Sequence, residues 1–135
     1  MTLTDAGPLV ALIDADEGRH KASVDALATL ARPLVTTLPA FTEAMYLLGR
    51  VLGWTGQDAL WRIAARHDLE VADLDDALLT RCRDLMWRYR DHPMDLADAS
   101  LVAVAEARTL GRIFTFDADF RTYRLAGGRV LEVVP

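Results

Sequence analysis

Four acidic residues stand at places in the chain from which their carboxylates can reach one cleft. Asp5 follows the β-prone opening run Met1 to Thr4, and Asp117 follows the apolar run Arg112 to Phe116. Glu43 lies in an apolar helical stretch with Ala40, Phe41, Ala44 and Met45, and Asp98 in another with Leu96, Ala97, Ala99 and Leu101. Carboxylates sharing one cleft repel each other unless protons or cations neutralise them. An all-oxygen acidic cluster suits hard divalent cations, Mg²⁺ or Mn²⁺ rather than zinc. Such ions generate hydroxide at neutral pH and stabilise in-line displacement at a phosphodiester. Most of these acids also have an ordinary structural use. Asp5 before Ala6-Gly7-Pro8 suits an N-cap. Asp95 and Asp98, three apart, form an acidic variant of the capping box with Asp95 as the cap, and Asp117 suits the cap of a turn. Glu43 has no such use, because a charge inside an apolar stripe needs a partner.

The elements that must position these acids follow from periodicity and breakers. Short apolar runs at Met1 to Thr4, Leu34 to Thr37, Leu69 to Ala72, Arg112 to Phe116 and Val130 to Val134 read as strands. Helical spacing spans Leu9 to Ile13 with Pro8 in the first turn, Gly18 to Leu30, and Ala40 to Leu52 between Pro39 and Gly53. It continues over Gln57 to His67, Asp75 to Arg90, and Asp95 to Leu110 up to Gly111. Buried strands alternating with helices predict a parallel α/β sheet covered on both faces. Ligands of such sheets bind outside the carboxyl ends of the strands. Asp5 and Asp117 belong there, side by side, with the early turns of the Glu43 and Asp98 helices leaning over the same edge.

The same segments carry a family resemblance. Asp5-Ala6-Gly7-Pro8-Leu9-Val10-Ala11-Leu12 is similar to the start of PIN domains, particularly the VapC-like toxins of bacterial toxin–antitoxin pairs. Thr42-Glu43 after Pro39 resembles their second motif, Met94 to Leu101 their third, and Thr115 to Phe120 their fourth. All four occur in the family's order and spacing over essentially the whole chain, residues 1–135, as one PIN domain. The resemblance implies a three-layer α/β/α sandwich around a mainly parallel sheet of four to five short strands. It implies a metal-dependent endoribonuclease using Mg²⁺ or Mn²⁺, with Asp5, Glu43, Asp98 and Asp117 as catalytic and metal-binding acids. Asp95 and Asp119 are secondary candidates, and Thr115 and Ser100 are hydroxyls that could orient ligands. Where the family often has a hydroxyl after its first acid, this chain has Ala6 and Gly7. The implied partners are a small VapB-like antitoxin and a second copy of the chain.

Composition bounds the substrate contacts. The chain has 135 residues, 52% of them hydrophobic, with 20 acidic against 15 basic residues and a net charge of −5. This balance argues against a broad basic surface for nucleic acid, and leaves room for a small site on a mostly neutral or acidic body. Setting the four acids aside leaves 16 acidic residues against 15 basic, a nearly neutral body around a cleft charged by metal. RNA would then bind locally, through the cation and a few arginines. The densest basic stretch, Arg81 to Arg90, holds Arg81, Arg83, Arg88 and Arg90 with Trp87 and Tyr89 interleaved. Arg88 and Arg90, with Arg121 near the fourth motif, are candidates for RNA contact. The plainer reading is a solvated helix face with Asp84 pairing to Arg81 or Arg88. Trp54 and Trp61 flank Gly56 and suit either core packing or an exposed antitoxin groove.

Other chemistries fit less well. His20, His67 and His92 lack metal-ligand spacing and read as surface residues, and Cys82, in a polar helical stretch, has no neighbouring His. A phospho-receiver domain needs a Lys near its last strand, but the only Lys is Lys21. A haloacid-dehalogenase-type phosphatase carries Asp-x-Asp after its first strand, whereas Asp117-Ala118-Asp119 lies near the end of this chain. A non-catalytic PIN-like interaction module and a housekeeping RNA-processing nuclease are the remaining alternatives. A lone cysteine, no signal peptide and no apolar run long enough for a membrane point to the cytoplasm.

Overall fold

A computed structural model describes all residues, Met1–Pro135. Five strands form one parallel sheet: β1 (Thr2–Thr4), β2 (Leu34–Thr37), β3 (Leu69–Ala72), β4 (Arg112–Phe114) and β5 (Glu132–Val134). Their spatial order is β3-β2-β1-β4-β5. The chain starts at the centre, builds outward to β3, then returns to the other side of β1. The strand order thus reverses between β1 and β4, and a crevice opens at that switch point.

The pleat sends alternate strand residues to opposite faces, and each face has its own core. Leu3, Val35, Ala72 and Ile113 pack under α5 (Asp76–Arg88) and α6 (Leu96–Arg108). Leu34, Leu69 and Phe114 face α1 (Ala6–Ile13), α3 (Leu38–Leu52) and α4 (Trp54–Ala65), with α2 (His20–Leu27) contacting α1. The result is the three-layer α/β/α architecture expected, with five strands, all parallel. α6 is the most buried helix: seven consecutive residues, Ala99 to Ala105, are inside. Its small side chains let it lie close to the sheet.

Several boundaries differ from the sequence expectation. α1 begins at Ala6, because Asp5 caps it directly and the helix starts ahead of Pro8. α4 begins at Trp54 because Gly53, at φ 63° and ψ −151°, both ends α3 and opens α4. That conformation is essentially confined to glycine. α2 begins only at His20, which leaves the segment before it as a loop. The stretch after Asp117 holds a 3-10 turn, Ala118–Arg121, which its lack of periodicity concealed. Cys82 is corrected from a polar setting to a core one: it is buried in the α5–α6 layer, and burial raises its thiol pKa. His20 is half-buried, its ring Nδ1 at 2.7 Å from the Ala11 carbonyl oxygen. No helix is long and apolar enough to cross a membrane.

Candidate active site

The switch-point crevice is a cleft of about 290 Å³ lined by Asp5, Glu43, Asp95, Asp98 and Asp117, together with Ala6, Gly7, Arg19, Leu47 and Phe116. Four of the five acids arrive by a local rule of chain geometry, and Glu43 projects from within α3. Asp5 ends the central strand and caps α1, its Oδ1 accepting from the Ala6 N–H at 2.7 Å. Asp95 caps α6, accepting from the Asp98 N–H at 2.8 Å, which stations Asp98 in the first turn. Asp117 caps the 3-10 turn, accepting from the Asp119 N–H at 2.9 Å. A helix start satisfies its free N–H groups with such carboxylates. Capping these starts therefore does not take the acids out of the cleft.

Thr115 links the two sides of the switch point. Its hydroxyl donates to Asp5 Oδ2 at 2.8 Å and accepts from the Asp117 N–H at 3.0 Å. The hydroxyl missing after Asp5 in sequence is thus supplied from across the sheet. Ser100 is elsewhere: it is fully buried, 2.6 Å from the Thr37 hydroxyl and donating to the Ala97 carbonyl at 2.7 Å. It ties α6 to the sheet and does not line the cleft. Asp119 also points away from it, pairing with His92 at 3.3 Å. Glu43 is exposed at the cleft's edge, so the partner its apolar neighbourhood demanded is replaced by solvent. Tyr123, which sequence reasoning passed over, is fully buried and donates to Asp98 Oδ2 at 3.3 Å.

Electrostatics confirm that the carboxylates feel one another. Burial pushes the Asp98 pKa up to about 7, and the charges of Asp95 and Asp5 push in the same direction. Asp5 is raised by burial, against the lowering effect of its bonds to Thr115 and Ala6. Glu43, at the exposed edge, is raised by the partial desolvation of its carboxyl against the cleft and then by the charge of Asp5. Burial and the Asp98 charge raise the Tyr123 hydroxyl as well. None of the five cleft carboxylates takes part in an ion pair. The donor chemistry fits a hard divalent cation, since oxygen ligands and uncompensated negative charge are both present. No three side chains are already closed around one point as a ligand cage; the cleft is an open acidic mouth.

The candidate RNA contacts separate. Arg121 lines a neighbouring hollow that shares Phe116 and Asp117 with the cleft. Arg88 and Arg90 do not line the cleft; their guanidiniums lie 5.4 Å from the Tyr89 ring centre and 3.8 Å from that of Trp87. The expected pairing of Asp84 with Arg81 or Arg88 is corrected. Asp84 meets Arg83 at 3.3 Å, while Arg81 reaches across to Glu106 on α6 at 3.1 Å. Trp54 and Trp61 are exposed, at 67% and 51%, with Trp61 edge-on to Phe41.

A parallel α/β sheet with a carboxylate cleft at its switch point defines a class of acid-lined, cation-seeking sites. The PIN domain profile matches residues 2–125, and the chain belongs to the PIN-domain family. It is 28% identical over 134 residues to Ribonuclease VapC26 of Mycobacterium tuberculosis (strain ATCC 25618 / H37Rv), covering 98% of this chain and 99% of that protein. Among solved structures it is similar to Mycobacterium tuberculosis VapC20, described as a Sarcin-Ricin loop cleaving toxin, with TM-score 0.85, 21% identity and full coverage of both chains. VapBC2 from Rickettsia felis, bound to a DNA fragment from its promoter, gives TM-score 0.72 at 14% identity over 99% of this chain and 98% of that one. A toxin–antitoxin complex from Klebsiella pneumoniae gives 0.71 at 19%, over 100% and 97%.

Proposed function

We propose that this chain is a metal-dependent endoribonuclease and the toxin of a cytoplasmic toxin–antitoxin pair, hydrolysing RNA phosphodiester bonds with Mg²⁺ or Mn²⁺. The observation that carries the reading is the convergence of Asp5, Glu43, Asp98 and Asp117, from four separate elements, on one cleft. The likeness to Ribonuclease VapC26 supports it. Asp5, Asp98 and Asp117 would hold the cation, with Glu43 at the open edge and Asp95 behind Asp98. Bound there, the cation supplies an activated nucleophile and offsets charge on the phosphate. Thr115 fixes the carboxylate of Asp5 and the backbone of Asp117, so the two acids keep their spacing. Tyr123 fixes Asp98. Glu43, exposed and raised in pKa, is the acid best placed to accept a proton during attack. Arg121 is the better placed of the arginines predicted from sequence to meet the RNA backbone.

The proposed partners are a VapB-like antitoxin and a second copy of the chain. The exposed apolar side chains of Tyr46, Val51, Trp54 and Trp61 on α3 and α4 offer the antitoxin a surface. The deciding experiment is cleavage of RNA by the purified protein with Mg²⁺ or Mn²⁺, compared with Asp5→Asn and Asp98→Asn. Loss of cleavage in both variants supports the reading, and unchanged cleavage refutes it. Growth arrest on expression, relieved by an antitoxin encoded beside it, would separate a toxin from a housekeeping nuclease.

A further inference from the structure

RNA approaching this cleft meets a wall of carboxylates, and one cation stands among them. Arg19 is the only basic residue lining the cleft. Its guanidinium lies 4.7 Å from the ring centre of Phe116, the residue directly before Asp117. It forms no ion pair with any of the acids around it, and its side chain makes no hydrogen bond. The loop that presents it is tied down locally. The Glu17 carboxylate accepts from the Arg19 backbone N–H at 2.6 Å, the Asp14 carboxylate from the Asp16 N–H at 3.1 Å, and the His20 ring meets the Ala11 carbonyl. Two of the loop's carboxylates, Asp14 and Glu17, are thus engaged by backbone donors, and the guanidinium is seated over an aromatic ring with its N–H donors free.

We propose that Arg19 grips the RNA phosphate entering the cleft, with Phe116 as the seat that aims it; the inference rests on the nuclease reading above. A guanidinium held over a ring leaves N–H donors available, and its fork matches two phosphate oxygens at once. Stacking on Phe116 also keeps the fork from collapsing onto the neighbouring carboxylates. Arg19 acts on the substrate and not on the cation, so it sets RNA affinity.

The test measures binding of a fluorescein-labelled single-stranded RNA by anisotropy, with Mg²⁺ present and Asp98→Asn included to stop turnover. Arg19→Ala should weaken binding about 10-fold or more, the effect of losing a charge-assisted pair of hydrogen bonds. The slope of log affinity against log salt should fall by about 0.7, one phosphate contact on a single strand. Arg19→Lys should recover part of the affinity, and Phe116→Leu should give an intermediate loss. Unchanged RNA affinity in Arg19→Ala overturns the proposal. So does a gain in Mn²⁺ affinity without loss of RNA affinity, which would make Arg19 a counter-ion of the carboxylates. Cleavage by the otherwise unaltered protein is scored separately. If it cleaves RNA and Arg19→Ala loses no affinity, only the Arg19 proposal falls. If RNA binds through Arg19 and no metal supports cleavage, only the nuclease reading falls. If the chain binds no RNA, both fall.

Discussion

Asp98 is where the fold and the proposed chemistry pull against each other, and Asp98→Asn makes the conflict measurable. In the folded chain its pKa is pushed up to about 7 from 3.8, chiefly by burial and then by Asp95 and Asp5. A carboxyl raised on folding stabilises the protein fully below its unfolded value. That contribution is lost as pH climbs from about 4 through about 7. For an isolated group, each pKa unit is about 1.4 kcal/mol, which caps the effect near ~4 kcal/mol. Asp98 is only half-buried, so solvent screening lowers this to roughly 2 kcal/mol. A first-turn carboxylate also gains ~0.3–1 kcal/mol from the helix dipole, which Asn forfeits. Asn keeps an oxygen to accept from Tyr123. The net expectation at pH 8 in EDTA is a variant more stable by ~1–2 kcal/mol, seen as about 3–8 °C in Tm. The difference should vanish below pH 4. Excess Mg²⁺ or Mn²⁺ should reverse the order, because a cation at 100 times its Kd adds ~2.7 kcal/mol to the chain that binds it. A variant less stable at pH 8, or a difference constant between pH 4 and pH 8, would refute the reasoning.

Thr115→Val should cost ~1–3 kcal/mol in urea unfolding, because the Asp117 N–H loses its buried acceptor, and should lower cleavage at least about 10-fold; Thr115→Ser should restore both. Tyr123→Phe keeps the ring packing with Tyr89 and Phe120, so stability should move by no more than ~1 kcal/mol. The Mg²⁺ concentration for half-maximal cleavage should rise several-fold, because Asp98 loses the donor that holds it. Glu106→Gln breaks the pair with Arg81 across the α5–α6 contact and should lower stability by ~1–2 kcal/mol with cleavage unaltered, read by thermal unfolding beside the RNA assay.

How far the sequence could be read depended on the range of the interaction. Leu34–Thr37 and Leu69–Ala72 are strands with the bounds their apolar runs predicted. Their burial is set by their own residues. The capping of α6 by Asp95 was legible for the same reason, being a three-residue pattern. Arg19 was not, because helical spacing from Gly18 onward hid the fact that α2 starts at His20. Local backbone bonds by Glu17 kept it in a loop, and its neighbour Phe116 is almost a hundred positions away. Tyr123 is hidden in the sequence for the same reason: only the fold brings its hydroxyl to Asp98. Thr115 is legible in sequence as a hydroxyl, but its bridging of Asp5 and Asp117 needs β1 and β4 to be paired. In the arginine-rich stretch the partners are what the sequence does not show: Arg81 is engaged with Glu106, and Arg90 lies over Trp87.

The bond from Thr115 to Asp5 joins residues 110 positions apart. Closing so long a loop is slow and unrewarded until the last contacts form. During synthesis, at about 5–20 residues per second, β1 waits with one edge open while the rest of the chain is made. The cleft has no opposite wall until β4 and Asp117 leave the ribosome and dock. An emerging chain therefore carries acids but no assembled site. The proposed substrate is spared until Asp117 has docked against Asp5, and any partner that recognises the finished cleft has nothing to hold before then.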